Sequence, residues 1–100
     1  MIEASALAEF AAIPAPTGQE SARLEWLERR LSGGRGSLAR DGAGNLVWRF
    51  GSDRPPSLLL MAHVDTVFAG LNEIEISRDG DALVGPGIGD NATAVITVIP

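Results

Sequence analysis

The sequence predicts an α/β fold, and three observations carry that prediction. Helical spacing of apolar residues near the N-terminus gives way to strict alternation around Val47. A continuously apolar run, "SLLLMAHV", follows, as expected of a central strand covered on both faces. A glycine-rich loop then leads into a second helical segment. Helices, a hairpin and a central apolar strand interleaved along one chain imply a layered architecture.

Each element has its own local reason. In "ASALAEFAAI", Leu7, Phe10, Ala11 and Ile13 fall on roughly one helical face, and "PAP" at Pro14–Pro16 ends that helix. "TGQE" then reads as a capping box, with Thr17 and Glu20 each satisfying a backbone N–H of the first turn of a second helix. Leu24, Leu27 and Leu31 form its apolar stripe, Glu25, Glu28, Arg29 and Arg30 its solvated charges, and Gly33 and Gly34 its stop. "SLARD" and "NLVWRF" read as strands around the turn "GAG". Trp48 and Phe50 are expected in the core or on the sheet face rather than in a ligand site. "EIEIS" and "ALVG" read as short strands around the turn Arg78–Asp81, and a helix is expected to begin at Asp90.

The composition narrows the function. Hydrophobic residues make up 45% of the 100 residues, enough for a packed core in one small domain. The formal net charge of −5 disfavours nucleic acid and anionic membrane surfaces as partners. The absence of cysteine excludes disulfides, thiol catalysis and thiolate metal sites within these residues. The N-terminus lacks the basic segment of a signal peptide, and no apolar run approaches the ~18 residues of a membrane span, so a soluble, cytoplasmic protein is expected. "AVITVIP" ends the sequence inside an apolar run without a cap or polar turn, so the chain reads as the N-terminal part of a longer protein.

Two stretches could carry chemistry. Along a strand, His63 and Asp65 point to the same face, and His63 is the only histidine. A metal-bound imidazole normally donates its second N–H to a carboxylate or carbonyl, and Asp65 is placed for that role. Taken alone, the pair is a weak signal, and a structural histidine with a nearby aspartate is the more frequent arrangement. "GPGIGDN" is the second stretch. It is a nucleotide-binding loop on one reading, a loop presenting Asp90 to a cation on another, and an N-cap on a third. Against the first, Asp90 stands where the dinucleotide fingerprint needs glycine, and the chain has no lysine for a Walker loop.

Together, "MAHVDTV" and "LVGPGIGDNATAV" resemble the two metal motifs of the dinuclear zinc exopeptidases and deacylases. That family includes glutamate carboxypeptidase, acetylornithine deacetylase, succinyl-diaminopimelate desuccinylase, aminoacylase and peptidase T. "IPAPTGQE" and "DGAGNLVWRF" are similar to its less specific upstream segments. Pro86 replaces a frequent arginine, and "DNATAV" is nearer to the peptidase T and leucyl-aminopeptidase-like branches.

The resemblance implies that residues 1–100 form the N-terminal part of a layered α/β/α catalytic domain, truncated at its C-terminal end. It implies His63 as a ligand of one metal, Asp65 as the carboxylate that orients His63, Asp90 as the carboxylate bridging two metals, and a cis Asp90–Asn91 bond. The cofactors implied are two divalent ions, zinc first, with cobalt or manganese as alternatives. The substrate implied is a small peptide or N-acyl amino acid. The general base, the remaining ligands and any homodimer contact would lie beyond Pro100, so these residues alone are expected to be inactive. The alternatives are a non-catalytic α/β relative that binds a partner, and a nucleotide-binding domain using the "GPGIG" loop.

Overall fold

Two helices and a proline turn organise the molecule. The computed structural model describes residues 3–51, 54–55, 58–70 and 72–99. Helix α1 spans Ala4–Ala11 and helix α2 spans Ser21–Leu31. Strands β1 (Ser37–Arg40) and β2 (Leu46–Arg49) form an antiparallel hairpin, with Leu38 opposite Trp48. Strands β3 (Ser77–Asp79) and β4 (Ala82–Val84) form a second hairpin. A wide turn over Ile88–Ala92 leads into helix α3 (Thr93–Val98). The fold is therefore mixed α/β, and among the described residues its sheets are two separate antiparallel pairs.

The core follows the apolar spacing of the helices. Ala6, Leu7, Phe10 and Ala11 of α1 pack with Trp26 and Leu27 of α2 and with Ala92, Val95 and Ile96 at the start of and within α3. The Phe10 and Trp26 rings meet at 5.3 Å with planes tilted by 57°, a favourable aromatic geometry. The Trp26 indole N–H donates to Glu9 at 3.0 Å, so its polar edge is satisfied. Trp48 and Phe50 stack on each other at 4.8 Å, but Phe50 remains 66% exposed and belongs to an open sheet face rather than to the core.

Helix α2 begins later than the capping-box reading places it. The Thr17 hydroxyl donates to Asp65 Oδ2 at 2.6 Å instead of capping the helix. Glu20 turns back to accept the Gly18 N–H at 2.6 Å, and the helix starts at Ser21. Helix α3 likewise starts at Thr93 rather than at Asp90, because Asp90 and Asn91 have non-helical backbone angles.

The expected central strand is not formed. The described part of "SLLLMAHV" forms no helix or strand, and Leu58, Leu59, Leu60 and Met61 are all more than half exposed. Its first residue, Ser57, lies outside the described residues. A strand needs a hydrogen-bonded neighbour, and both hairpins pair only with themselves. The apolar faces of the helices are occupied by one another. One short contact anchors the far end of the run: Thr66 forms a parallel bridge with Pro16, and its N–H donates to Ala15 O at 2.8 Å.

Candidate functional site

Helix α2 fixes the chain within the candidate site, between His63 and Asp65, through an arginine. Arg23 is fully buried, on the same helical face as Trp26 and Leu27. A buried guanidinium must spend its donors, and Arg23 gives three to backbone carbonyls. Nε donates to Ile13 O at 2.8 Å, Nη2 to Ala11 O at 3.1 Å and Nη1 to Val64 O at 2.8 Å. The first two carbonyls lie at the end of α1 and just beyond it, where the helix leaves acceptors unpaired and where a cation is favoured. The third lies between His63 and Asp65. The guanidinium also stacks over the Phe10 ring at 4.8 Å. Burial pushes its pKa down from the ordinary value, and the charge of Asp65 acts in the opposite direction.

His63 lies between Asp65 and Asp90. His63 Nδ1 lies 3.1 Å from Asp65 Oδ1 and 3.2 Å from the Asp65 carbonyl. Its Nε2 lies 3.1 Å from Asp90 Oδ1. The single imidazole thus connects two carboxylates that are 25 positions apart in the chain, one on each ring nitrogen. The Asn91 side-chain amide donates to His63 O at 3.2 Å and ties the loop to the histidine backbone. The Asp90–Asn91 peptide bond is cis.

The glycines explain how the loop reaches His63. A Cβ at Gly85 would lie 2.3 Å from Ile76 Cδ1 and 3.0 Å from Glu75 O, so only glycine fits there without displacing them. Gly87 has φ of +76° and starts the turn in the left-handed region, which glycine adopts without a Cβ penalty. Both glycines therefore serve close packing and turn geometry.

The electrostatics are asymmetric. The side chain of Asp65 is 29% exposed and that of Asp90 is 77% exposed, so solutes have access from the Asp90 side. The Thr17 hydroxyl is the main influence holding the Asp65 carboxyl below its usual range. Slight burial opposes it, while a backbone hydrogen bond and His63 add to it.

The donor set fits part of a metal site. A neutral imidazole nitrogen and a carboxylate oxygen are ordinary zinc donors, and two donors on one tetrahedral ion lie roughly 3.3 Å apart. The observed 3.1 Å between His63 Nε2 and Asp90 Oδ1 is close to that separation. Among the described residues, no group of three or more His, Cys, Asp or Glu side chains converges to hold an ion. A catalytic zinc normally takes three protein ligands. His63 and Asp90 therefore suit a share of a ligand set, with Asp65 on the outer nitrogen.

Thr17, Arg23 and Asn91 are neighbours of the site that the motif reading leaves without a role. Arg23 had a signal, since it precedes Trp26 and Leu27 by three and four residues and so falls within the apolar stripe. Thr17 had none, because a helix cap and a carboxylate partner call for the same hydroxyl. The chain matches no family model, no curated protein and no solved structure. Among the described residues, no helix is long and apolar enough to cross a membrane.

Proposed function

We propose that the chain is the N-terminal part of the layered α/β/α catalytic domain of a dinuclear zinc exopeptidase or deacylase. One observation carries the reading: a single imidazole has a carboxylate on each ring nitrogen, one partly shielded and one open to solvent. His63 Nε2 and Asp90 would hold metal, Asp90 as the bridge, and Asp65 would keep the proton on Nδ1. Zinc is the first choice, with cobalt or manganese as alternatives. When bound, the ions would supply an activated water and polarise the scissile carbonyl. The substrate would be a small peptide or N-acyl amino acid, cleaved at its amide C–N bond. The general base and further ligands would come from residues other than these, in a soluble cytoplasmic enzyme.

Zinc titration of the chain, followed through the 15N and 1H resonances of the one histidine, tests this reading. Weak binding that shifts Nε2 and disappears in Asp90→Ala is the expected result. No response at Nε2, or an undiminished response in Asp90→Ala, would sink the ligand assignment. Zinc-dependent hydrolysis of an N-acyl amino acid by these residues alone would also contradict it.

The nucleotide-binding alternative is disfavoured by the exposed carboxylate of Asp90 at the end of the glycine loop, which would repel a phosphate. A non-catalytic relative would keep the fold without a metal response at His63.

A further inference from the structure

Thr17, Asp65, His63 and Asp90 form a chain of successive polar contacts. The Thr17 hydroxyl donates to Oδ2 at 2.6 Å, Oδ1 faces His63 Nδ1 at 3.1 Å, and the opposite ring nitrogen faces Asp90 at 3.1 Å. An aspartate carboxylate is free to turn about its last torsion unless something fixes it, because that torsion is broad and roughly two-fold. Thr17 is suited to fix it. Its β-branched side chain has restricted rotamers. Its backbone lies beside Ala15 and Pro16, which the Thr66 amide and the Pro16–Thr66 bridge fasten to the residue following Asp65. Donor and acceptor are therefore held by the same short contact.

We infer that Thr17 is a positioning residue that turns the Asp65 carboxylate so that the neutral His63 imidazole carries its proton on Nδ1 and presents Nε2 to Asp90. The inference rests on the proposed reading only for why the tautomer matters. The placement of the proton is a property of these residues without any metal. It is not a foregone result: Asp90 Oδ1, 3.1 Å from Nε2, is an acceptor that favours the opposite tautomer in metal-free protein, and the Asp65 backbone carbonyl, 3.2 Å from Nδ1, could hold the same tautomer without Thr17.

The test is 15N–1H correlation NMR on metal-free protein at a pH where the imidazole is neutral. His63 is the only histidine, so the spectrum has one imidazole to assign. Wild type is expected to carry the proton on Nδ1. Thr17→Val removes the hydroxyl while keeping the branched shape, and the Nε2–H form is expected to rise to at least an equal share. Thr17→Ser restores the hydroxyl and is expected to return the spectrum to that of wild type. Thermal unfolding of each variant is read alongside. A lower Tm with an unchanged tautomer would mean that Thr17 is merely structural and would overturn the inference. So would a wild-type spectrum dominated by Nε2–H.

If Thr17→Val fails to fold, the decision passes to wild type. A Thr17 hydroxyl proton protected from exchange and close to Asp65 supports the inference, and a freely exchanging one overturns it. Zinc affinity separates the two proposals. A loss of roughly tenfold or more in Thr17→Val, with rescue in Thr17→Ser, supports both. A tautomer change in a protein that takes no zinc leaves Thr17 as the positioning residue and removes the metal reading. Zinc binding with an unaltered tautomer does the reverse.

Discussion

The run from Leu58 to Thr66 has two halves that behave differently. Leu58–Met61 is apolar and exposed, while His63–Thr66 is tied to three other parts of the chain. The upstream half has the stronger hydrophobic signal and the weaker placement. The downstream half is placed by the buried guanidinium of Arg23, the Thr17 hydroxyl, the Asn91 amide and the Ala15 carbonyl. Local order here follows from polar groups with specific partners. Apolar character favours burial, but it cannot position a segment that has no surface to meet.

Breaking the ordered half should produce the largest effect. Arg23→Leu keeps an apolar body on the helix face but leaves the carbonyls of Ala11, Ile13 and Val64 without their shared donor. A loss of about 3 kcal/mol or more is expected in urea unfolding, since each buried carbonyl without a partner is costly. Faster amide exchange at Thr66 should accompany it. A loss below about 1 kcal/mol would mean that the guanidinium is not the clamp described above.

A smaller effect, and one confined to the first hairpin, should appear with pH. Asp41 accepts hydrogen bonds from the Asn45 side chain and from the backbone amides of Asn45 and Ala43. The Asn45 side chain leads these in holding its carboxyl below the usual value of 3.8. A folded-state pKa lowered in this way stabilises the turn above the ordinary carboxylate pKa. The contribution is lost as pH falls through the lower folded value. Protection factors of the β1 and β2 amides, taken relative to intrinsic exchange at each pH, should therefore fall on acidification below about pH 4, and Asp41→Ala should flatten that dependence. The amides around His63 should not follow the Asp41 substitution.

The smallest effect should come from the exposed half. Leu59 is 78% exposed, so Leu59→Ser should change stability by no more than about 0.5 kcal/mol in the same urea experiment. A loss of about 2 kcal/mol would show that this residue is buried in solution and would remove the contrast between the halves.

The sequence makes some of this legible and hides the rest for identifiable reasons. The apolar faces of α1 and α2 follow from helical spacing, and the first hairpin follows from alternation around "DGAGN". The pairing of His63 with Asp65 and Asp90 was suggested by two motifs, and the cis Asp90–Asn91 bond by the resemblance they support. The strand reading of "SLLLMAHV" fails because periodicity reports what a segment could bury, while pairing depends on a neighbour elsewhere. Thr17 fits a cap in local sequence, which cannot tell an adjacent partner from one 48 positions away. The role of Arg23 is hidden in the sequence because arginine on a helix is usually solvated, and the carbonyls it serves belong to other segments.

The reach of the Arg23 side chain also bears on the order in which the molecule can assemble. Its bond to Val64 closes a loop of 41 positions, and the bond from Thr17 to Asp65 spans 48. Loop-closure entropy grows only logarithmically with length, and once one such loop is shut its near neighbour has little entropy left to lose. When the Arg23 contact has formed, the ends that Thr17 and Asp65 must bring together are already close. The hydroxyl–carboxylate bond then forms almost as a local event, although its partners are nearly half the chain apart.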